Sequence, residues 1–79
     1  MDKSYILQLL SNITGFDYNE LTQLPLDTPL IYIGFKSIQF IQFIVSIEEE
    51  YNIEILDSDI LLSNFETLDA IHNTLEKYL

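Results

Sequence analysis

Residues 33–51 read IGFKSIQFIQFIVSIEEEY, and this stretch decides the fold. At about 100° per residue, Phe40, Phe43, Ile44, Ile47 and Tyr51 fall within roughly 100° of arc, as the core face of a helix should. Gln39, Gln42, Ser46, Glu49 and Glu50 make the solvent face. Ile38, Ile41 and Val45 form a second apolar strip at steps of three and four, well away from the aromatic one. A small bundle covers one face of such a helix and not two, so this strip either packs beneath a long loop or stays open to a partner. Ser37 stands where the helix opens, and a serine there is by default an N-cap that accepts a hydrogen bond from a first-turn N–H.

Outward from this helix the chain reads as further helices joined by irregular links. Over residues 2–13 the apolar Ile6, Leu9, Leu10 and Ile13 recur at helical steps, and Gly15 follows as a stop. Residues 16–36 hold both prolines and the other glycine, too many breakers for a long helix. This span reads as an ordered loop anchored by Phe16, Leu21, Leu24, Leu26 and Leu30, with Asp17 and Glu20 at capping-box spacing for a single turn. After Tyr51 and Asn52, Ile53 and Ile55 alternate briefly, and Asp57 and Ser58 can cap a short helix through Ser63. Thr67 caps the last helix, whose Leu68, Ile71, Leu75 and Tyr78 or Leu79 form one stripe. The expectation is an all-α fold: a small four-helix bundle of three longer helices and one short one, with a long first loop, in a single domain spanning residues 1–79.

Composition narrows the function. Thirteen acidic residues against three basic ones give a net charge of −10, which opposes binding to nucleic acid phosphates and to an anionic membrane surface. Hydrophobic content of 48% with ten aromatics (five Tyr, five Phe) is far above that of a disordered acidic tail. No apolar run approaches the ~18 residues of a membrane span, and the first residues lack a signal peptide pattern, so a cytoplasmic protein is expected. The chain has no cysteine. It therefore has no disulfide framework, thiol nucleophile or thiolate ligand of its own.

The residues offer no catalytic constellation. His72 is the single histidine, and no motif pairs it with a carboxylate and Ser37. Gly34 lies three before Ser37 and no glycine follows, so G-x-S-x-G is absent. Asp57, Ser58 and Asp59 begin like a calcium loop but lack its central glycine and terminal glutamate. No metal is expected.

Taken together, Gly34-Phe35-Lys36-Ser37-Ile38, the helix that follows, and Glu48-Glu49-Glu50-Tyr51-Asn52-Ile53-Glu54-Ile55 closely resemble the acyl carrier and peptidyl carrier protein family. Members carry a glycine, two residues, a serine and a leucine-like residue, then a helix ending in acidic residues, an aromatic and a short I-x-I segment. Thr67-Leu68-Asp69-Ala70-Ile71 is similar to the start of the family's last helix. The resemblance extends over nearly the whole chain, and it implies a carrier rather than an enzyme. It implies that Ser37 is the attachment point for 4'-phosphopantetheine, transferred from coenzyme A by a phosphopantetheinyl transferase. Acyl, aminoacyl or peptidyl groups then ride as thioesters on the arm, which supplies the sulfur that the chain lacks.

This sequence departs from the family's pattern beside the serine. Where the family commonly has aspartate before the serine and acids along the early helix, here stand Lys36, Gln39 and Gln42. Lys36, Ile38, Gln39, Ile41, Gln42 and Val45 are therefore the expected partner surface, apolar rather than acidic. The implied partners are the transferase, an adenylating or acyl-transferring loading enzyme, and condensing or releasing enzymes, with no nucleic acid and no membrane. A free-standing monomer serving specialised-metabolite synthesis of nonribosomal peptide or polyketide type is expected. The alternatives are a fatty-acid or D-alanyl carrier and, from another class, an unmodified helical adaptor.

Overall fold

A computed structural model describes residues 3–79 of the chain; Asp2, the expected start of the first helix, lies outside them. Four α-helices follow in order: α1 (Lys3–Thr14), α2 (Tyr18–Leu21), α3 (Ser37–Tyr51) and α4 (Leu68–Leu75). Single 3-10 turns at Leu30–Ile33, Asp57–Asp59 and Leu62–Asn64 fill the links, and there is no strand among the described residues. The all-α expectation holds.

Each helix has a local cause. In α1 the step from Ile6 to Leu10 buries both residues, while Leu9 and Ile13 pack at the margin of the core. The helix stops at Gly15, whose positive φ of 78° suits glycine and whose N–H donates to the Ser11 carbonyl at 2.8 Å. Asp17 then caps α2, its carboxylate accepting the Glu20 N–H at 3.0 Å, as the capping-box spacing implies. At the other end Thr67 caps α4 by accepting the Ala70 N–H at 3.0 Å. Helix α3 ends where Asn52 turns left-handed, one of the few residue types that enter that region cheaply.

Aromatic rings from α3 and the links fill the centre. Phe43 and Phe65 are fully buried, and their ring centres lie 6.2 Å apart. Phe35 meets Phe43 edge-on at 5.7 Å, and Phe40 meets Phe65 at 5.2 Å, within the range where such pairs attract beyond simple burial. Ile44, Ile47, Ile55, Ile71 and Leu75 complete this core with Leu21 and Leu30 from the first loop.

Three expectations need correction, the first being the reach of the last helix: α4 ends at Leu75, with Glu76 as its C-cap, so Tyr78 and Leu79 lie beyond it. Residues 57–63 do not form one short helix, because Ile60, with φ −82° and ψ 68°, separates two 3-10 turns. Neither turn has a side-chain cap, and Asp59 is engaged elsewhere: Lys77 donates to its carboxylate at 2.8 Å, and the Tyr78 hydroxyl donates to the other oxygen. Leu26, expected as a loop anchor, is 59% exposed. Its backbone does the anchoring instead, its carbonyl accepting the Asp69 N–H at 3.1 Å.

The Asp59 cluster fastens the chain end to the middle link, since the Tyr78 hydroxyl also accepts the Leu56 N–H at 3.1 Å. The Lys77 bond, followed by the Tyr78 bond, holds the Asp59 carboxyl below its ordinary range. A depressed carboxylate pKa contributes stability that is present above the unfolded value and is lost as pH falls through the folded one. Asp59→Asn should therefore be less stable than the parent at neutral pH, and that gap should shrink once the pH is below the ordinary aspartate range. Urea unfolding at about pH 7 and about pH 3 checks this. A gap unchanged between the two would show that the carboxylate charge is not what the cluster uses.

Candidate functional site

The 3-10 turn at Leu30–Ile33 closes on Gly34, whose φ of 92° is one that L side chains rarely adopt. Phe35 then buries its ring against Phe43. The chain leaves this buried anchor through an extended Lys36, with φ −108° and ψ −168°. The Lys36 carbonyl accepts the first bond of α3, from the Phe40 N–H at 2.8 Å. Lys36 is thus the N-cap and Ser37 the first helical residue, which corrects the reading of Ser37 as a cap. The lysine ammonium cannot accept a hydrogen bond; local order comes instead from Gln39, whose side-chain oxygen accepts the Lys36 N–H at 3.2 Å.

Freed from capping, Ser37 is exposed, and its hydroxyl forms no hydrogen bond with another described residue. It lines an open groove of about 310 Å³ between the 29–37 segment and the Leu62–Glu66 region. The groove's frame is pinned by the Leu30 N–H, which donates to the Glu66 carbonyl at 2.8 Å. Its lining is mainly apolar, with Ile31, Phe35 and Leu62, and it includes the charged Lys36 and Glu66.

Along α3, Ile38 is 69% exposed, Ile41 61% and Val45 47%. The second strip does not pack beneath the loop. Gln42 is exposed beside it, whereas Gln39 is half-buried and occupied with Lys36. There is no acidic residue in the first turn of α3. Exposed apolar residues also appear at positions that no periodicity singles out: Ile31 and Tyr32 from the first 3-10 turn, and Leu61 and Leu62 from the third link. The only earlier signals were two apolar pairs inside irregular segments.

A buried Phe35 thus leads into an exposed helix start, where an uncommitted serine hydroxyl stands beside an exposed apolar strip. Residues 4–75 match the family profile described as phosphopantetheine attachment site. The chain belongs to that family of carrier proteins. No curated protein and no solved structure matches it. The carrier holds 4'-phosphopantetheine covalently, and the domain is non-catalytic.

The geometry suits that group. Ser37 has a solvent-facing hydroxyl at the N-terminal end of a 15-residue helix, where first-turn N–H groups and the positive dipole end favour a phosphate. Nothing among the described residues competes for the oxygen. His72 belongs to a different region: it lines an apolar pocket of about 170 Å³ between α1, the loop after α2, and α4, with Leu7, Leu21 and Ile71 among its neighbours and without Ser37. Among the described residues no cluster of His, Asp and Glu could hold a metal ion, and no helix is long and apolar enough to cross a membrane.

Proposed function

We propose that Ser37 is the attachment residue and that this carrier works in specialised-metabolite synthesis of nonribosomal peptide or polyketide type, where coenzyme A and the transferase are at hand in the cytoplasm. In the modification the Ser37 Oγ attacks the coenzyme A phosphorus that carries the pantetheine. A new O–P bond forms, the diphosphate P–O bond breaks, adenosine 3',5'-bisphosphate leaves, and the hydroxyl proton passes to a base on the transferase. The bound arm supplies a terminal thiol on which acyl or aminoacyl groups are held as thioesters. What the chain supplies is position: a tethered group meets each partner at the effective concentration of a linked ligand.

The observation that carries the pathway reading is the exposed strip of Ile38, Ile41 and Val45 behind a first turn that lacks any acid. Partners that hold a carrier by carboxylates on the first turn of this helix find none there, while partners with an apolar seat find three exposed branched side chains at steps of three and four. At net −10 the whole domain still attracts basic partners at a distance, an attraction screened beyond ~8 Å at physiological salt. Apolar burial is not weakened in that way. Salt should slow association more than it loosens the docked complex.

Ile41→Glu tests this. With an adenylating or acyl-transferring enzyme that loads the parent, the variant should load at least about tenfold more slowly, because a carboxylate enters an apolar contact without a partner. It should still fold and still accept phosphopantetheine. Gln42→Ala should do little, and restoring acids with Gln39→Asp and Gln42→Glu should not help the cognate enzyme. A tolerant Ile41→Glu, in rates measured at low and high salt, would mean that the strip does not hold the partner.

A further inference from the structure

The chain has three basic residues, and the structure gives each a different setting. Lys77 pairs with Asp59 at 2.8 Å, the one salt bridge among the described residues. Lys3 lines the apolar pocket that holds His72. Lys36 is exposed, directly precedes Ser37 and lines the same groove. In a chain with thirteen acidic residues, Lys36 has no carboxylate within ion-pair distance among those described. Its charge is left for an anion that comes from outside the fold.

The nearest anion that the proposed modification creates is the phosphodiester on the adjacent side chain. We propose that Lys36 is the resident counter-ion of that phosphodiester, and that it holds the first part of the arm in the groove against Ile31, Phe35 and Leu62. This rests on Ser37 being the attachment residue. Two further features of the groove agree with it. Its wall is mainly apolar, suited to the methylene and gem-dimethyl portions of a pantetheine chain. Its one acidic lining residue, Glu66, belongs to the Leu62–Glu66 region and not to the stretch that carries Ser37, whereas its one basic lining residue, Lys36, directly precedes the serine, so the fixed charge next to a phosphate on Ser37 is the lysine's.

The pairing is a positioning device and not part of any reaction. An exposed ion pair contributes at most a population shift of about fivefold. The arm is then biased toward the domain surface at rest, while an apolar partner docking on Ile38 and Ile41 can still draw it away. Because the Debye length falls from about 10 Å at 0.1 M salt to about 3 Å at 1 M, added salt should release it.

The experiment uses the parent and Lys36→Gln, each converted with coenzyme A and a broad-specificity transferase, with intact mass and peptide mapping confirming one modification on Ser37. Nuclear magnetic resonance then compares unmodified and modified forms at low and high salt, following Ile31, Phe35 and Leu62. Alkylation of the arm's thiol by neutral iodoacetamide gives the second readout. In the parent at low salt, modification should shift the signals of the groove residues. High salt or Lys36→Gln should shrink those shifts, and alkylation should quicken by up to about fivefold. A modified parent whose groove signals do not move, or shifts that persist fully in Lys36→Gln and in high salt, would overturn the pairing and leave the Ser37 assignment standing. Modification at another residue, or none at all, would remove the Ser37 assignment and this inference with it. If the transferase refuses the variant, the salt series on the parent still decides.

Discussion

Ser37→Ala should take up no phosphopantetheine while the parent takes up one, and the variant should remain folded. The loss is all-or-none because the hydroxyl oxygen becomes one atom of the phosphodiester, and neither Lys36 nor the amides of the first turn can stand in for it. The structure also makes the substitution gentle. A capping serine replaced by alanine would cost ~1 kcal/mol, but the N-cap here is Lys36, and Ser37 is an exposed first helical residue. Alanine is the best helix former, so the stability change should stay within about 0.5 kcal/mol. Intact-mass measurement after incubation with coenzyme A and a competent transferase, paired with a thermal melt, gives both readings at once. Modification of the alanine variant would move the attachment site elsewhere, and a collapsed melt would give Ser37 a structural role that its surroundings do not show.

The contrast between the Lys36 cap and the exposed Ser37 hydroxyl shows what a single sequence can and cannot reveal. The core face of α3 is legible because each side chain's direction follows from 3.6 residues per turn, so Phe43 and Ile47 go inward; the same wheel separates Ile38 and Ile41 from that face but leaves open whether the loop covers them, and the structure leaves them exposed. Thr67 and Asp17 were legible as caps because their bonds reach only three residues ahead. Lys36 was not, since its cap works in reverse: Gln39 reaches back to the Lys36 N–H, and nothing in the lysine side chain announces it. The expected short helix over residues 57–63 does not form because the shape of that link depends on partners far along the chain, Lys77 and Tyr78, which take up the Asp59 carboxylate. A local capping rule sees Asp57 and Ser58 but not those two. The groove was invisible for the same reason, since its walls come from residues 29–37 and from Leu62 and Glu66, joined by the Leu30 to Glu66 backbone bond.

The Leu62 region thereby acquires a place in the site that no motif suggested. Lys77 and Tyr78 hold the Asp59 carboxylate, and the Asn64 amide donates to the Asp59 carbonyl at 2.9 Å. The Thr74 hydroxyl of α4 donates to the Asn64 carbonyl at 3.1 Å. The Leu62–Glu66 side of the Ser37 groove is therefore braced by α4 and the chain end, so the groove and the stability of the fold share the same bonds.

The largest stability effect expected is that of Phe43→Ala, set against Ile41→Ala two residues earlier on the same helix. Phe43 has no exposed surface and touches Phe35 and Phe65 through edge-on ring contacts at 5.7 and 6.2 Å. Truncation removes the burial of the ring and leaves a cavity between two side chains that are themselves fixed, a combination that costs ~3 to 5 kcal/mol. A domain of this size has roughly 4 to 12 kcal/mol in total, so the melting temperature should fall by about 12 °C or more, and Phe43→Leu should recover part of the loss. Ile41, at 61% exposed, loses little contact on truncation, and alanine's better helix propensity offsets some of that. Its melt should shift by no more than about 4 °C. The comparison separates stability from docking: if Ile41→Ala melts near the parent, slow loading of Ile41→Glu reports on the partner contact. If Ile41→Ala proves as damaging as Phe43→Ala, the strip packs against the first loop in solution, and the apolar docking surface proposed here is withdrawn.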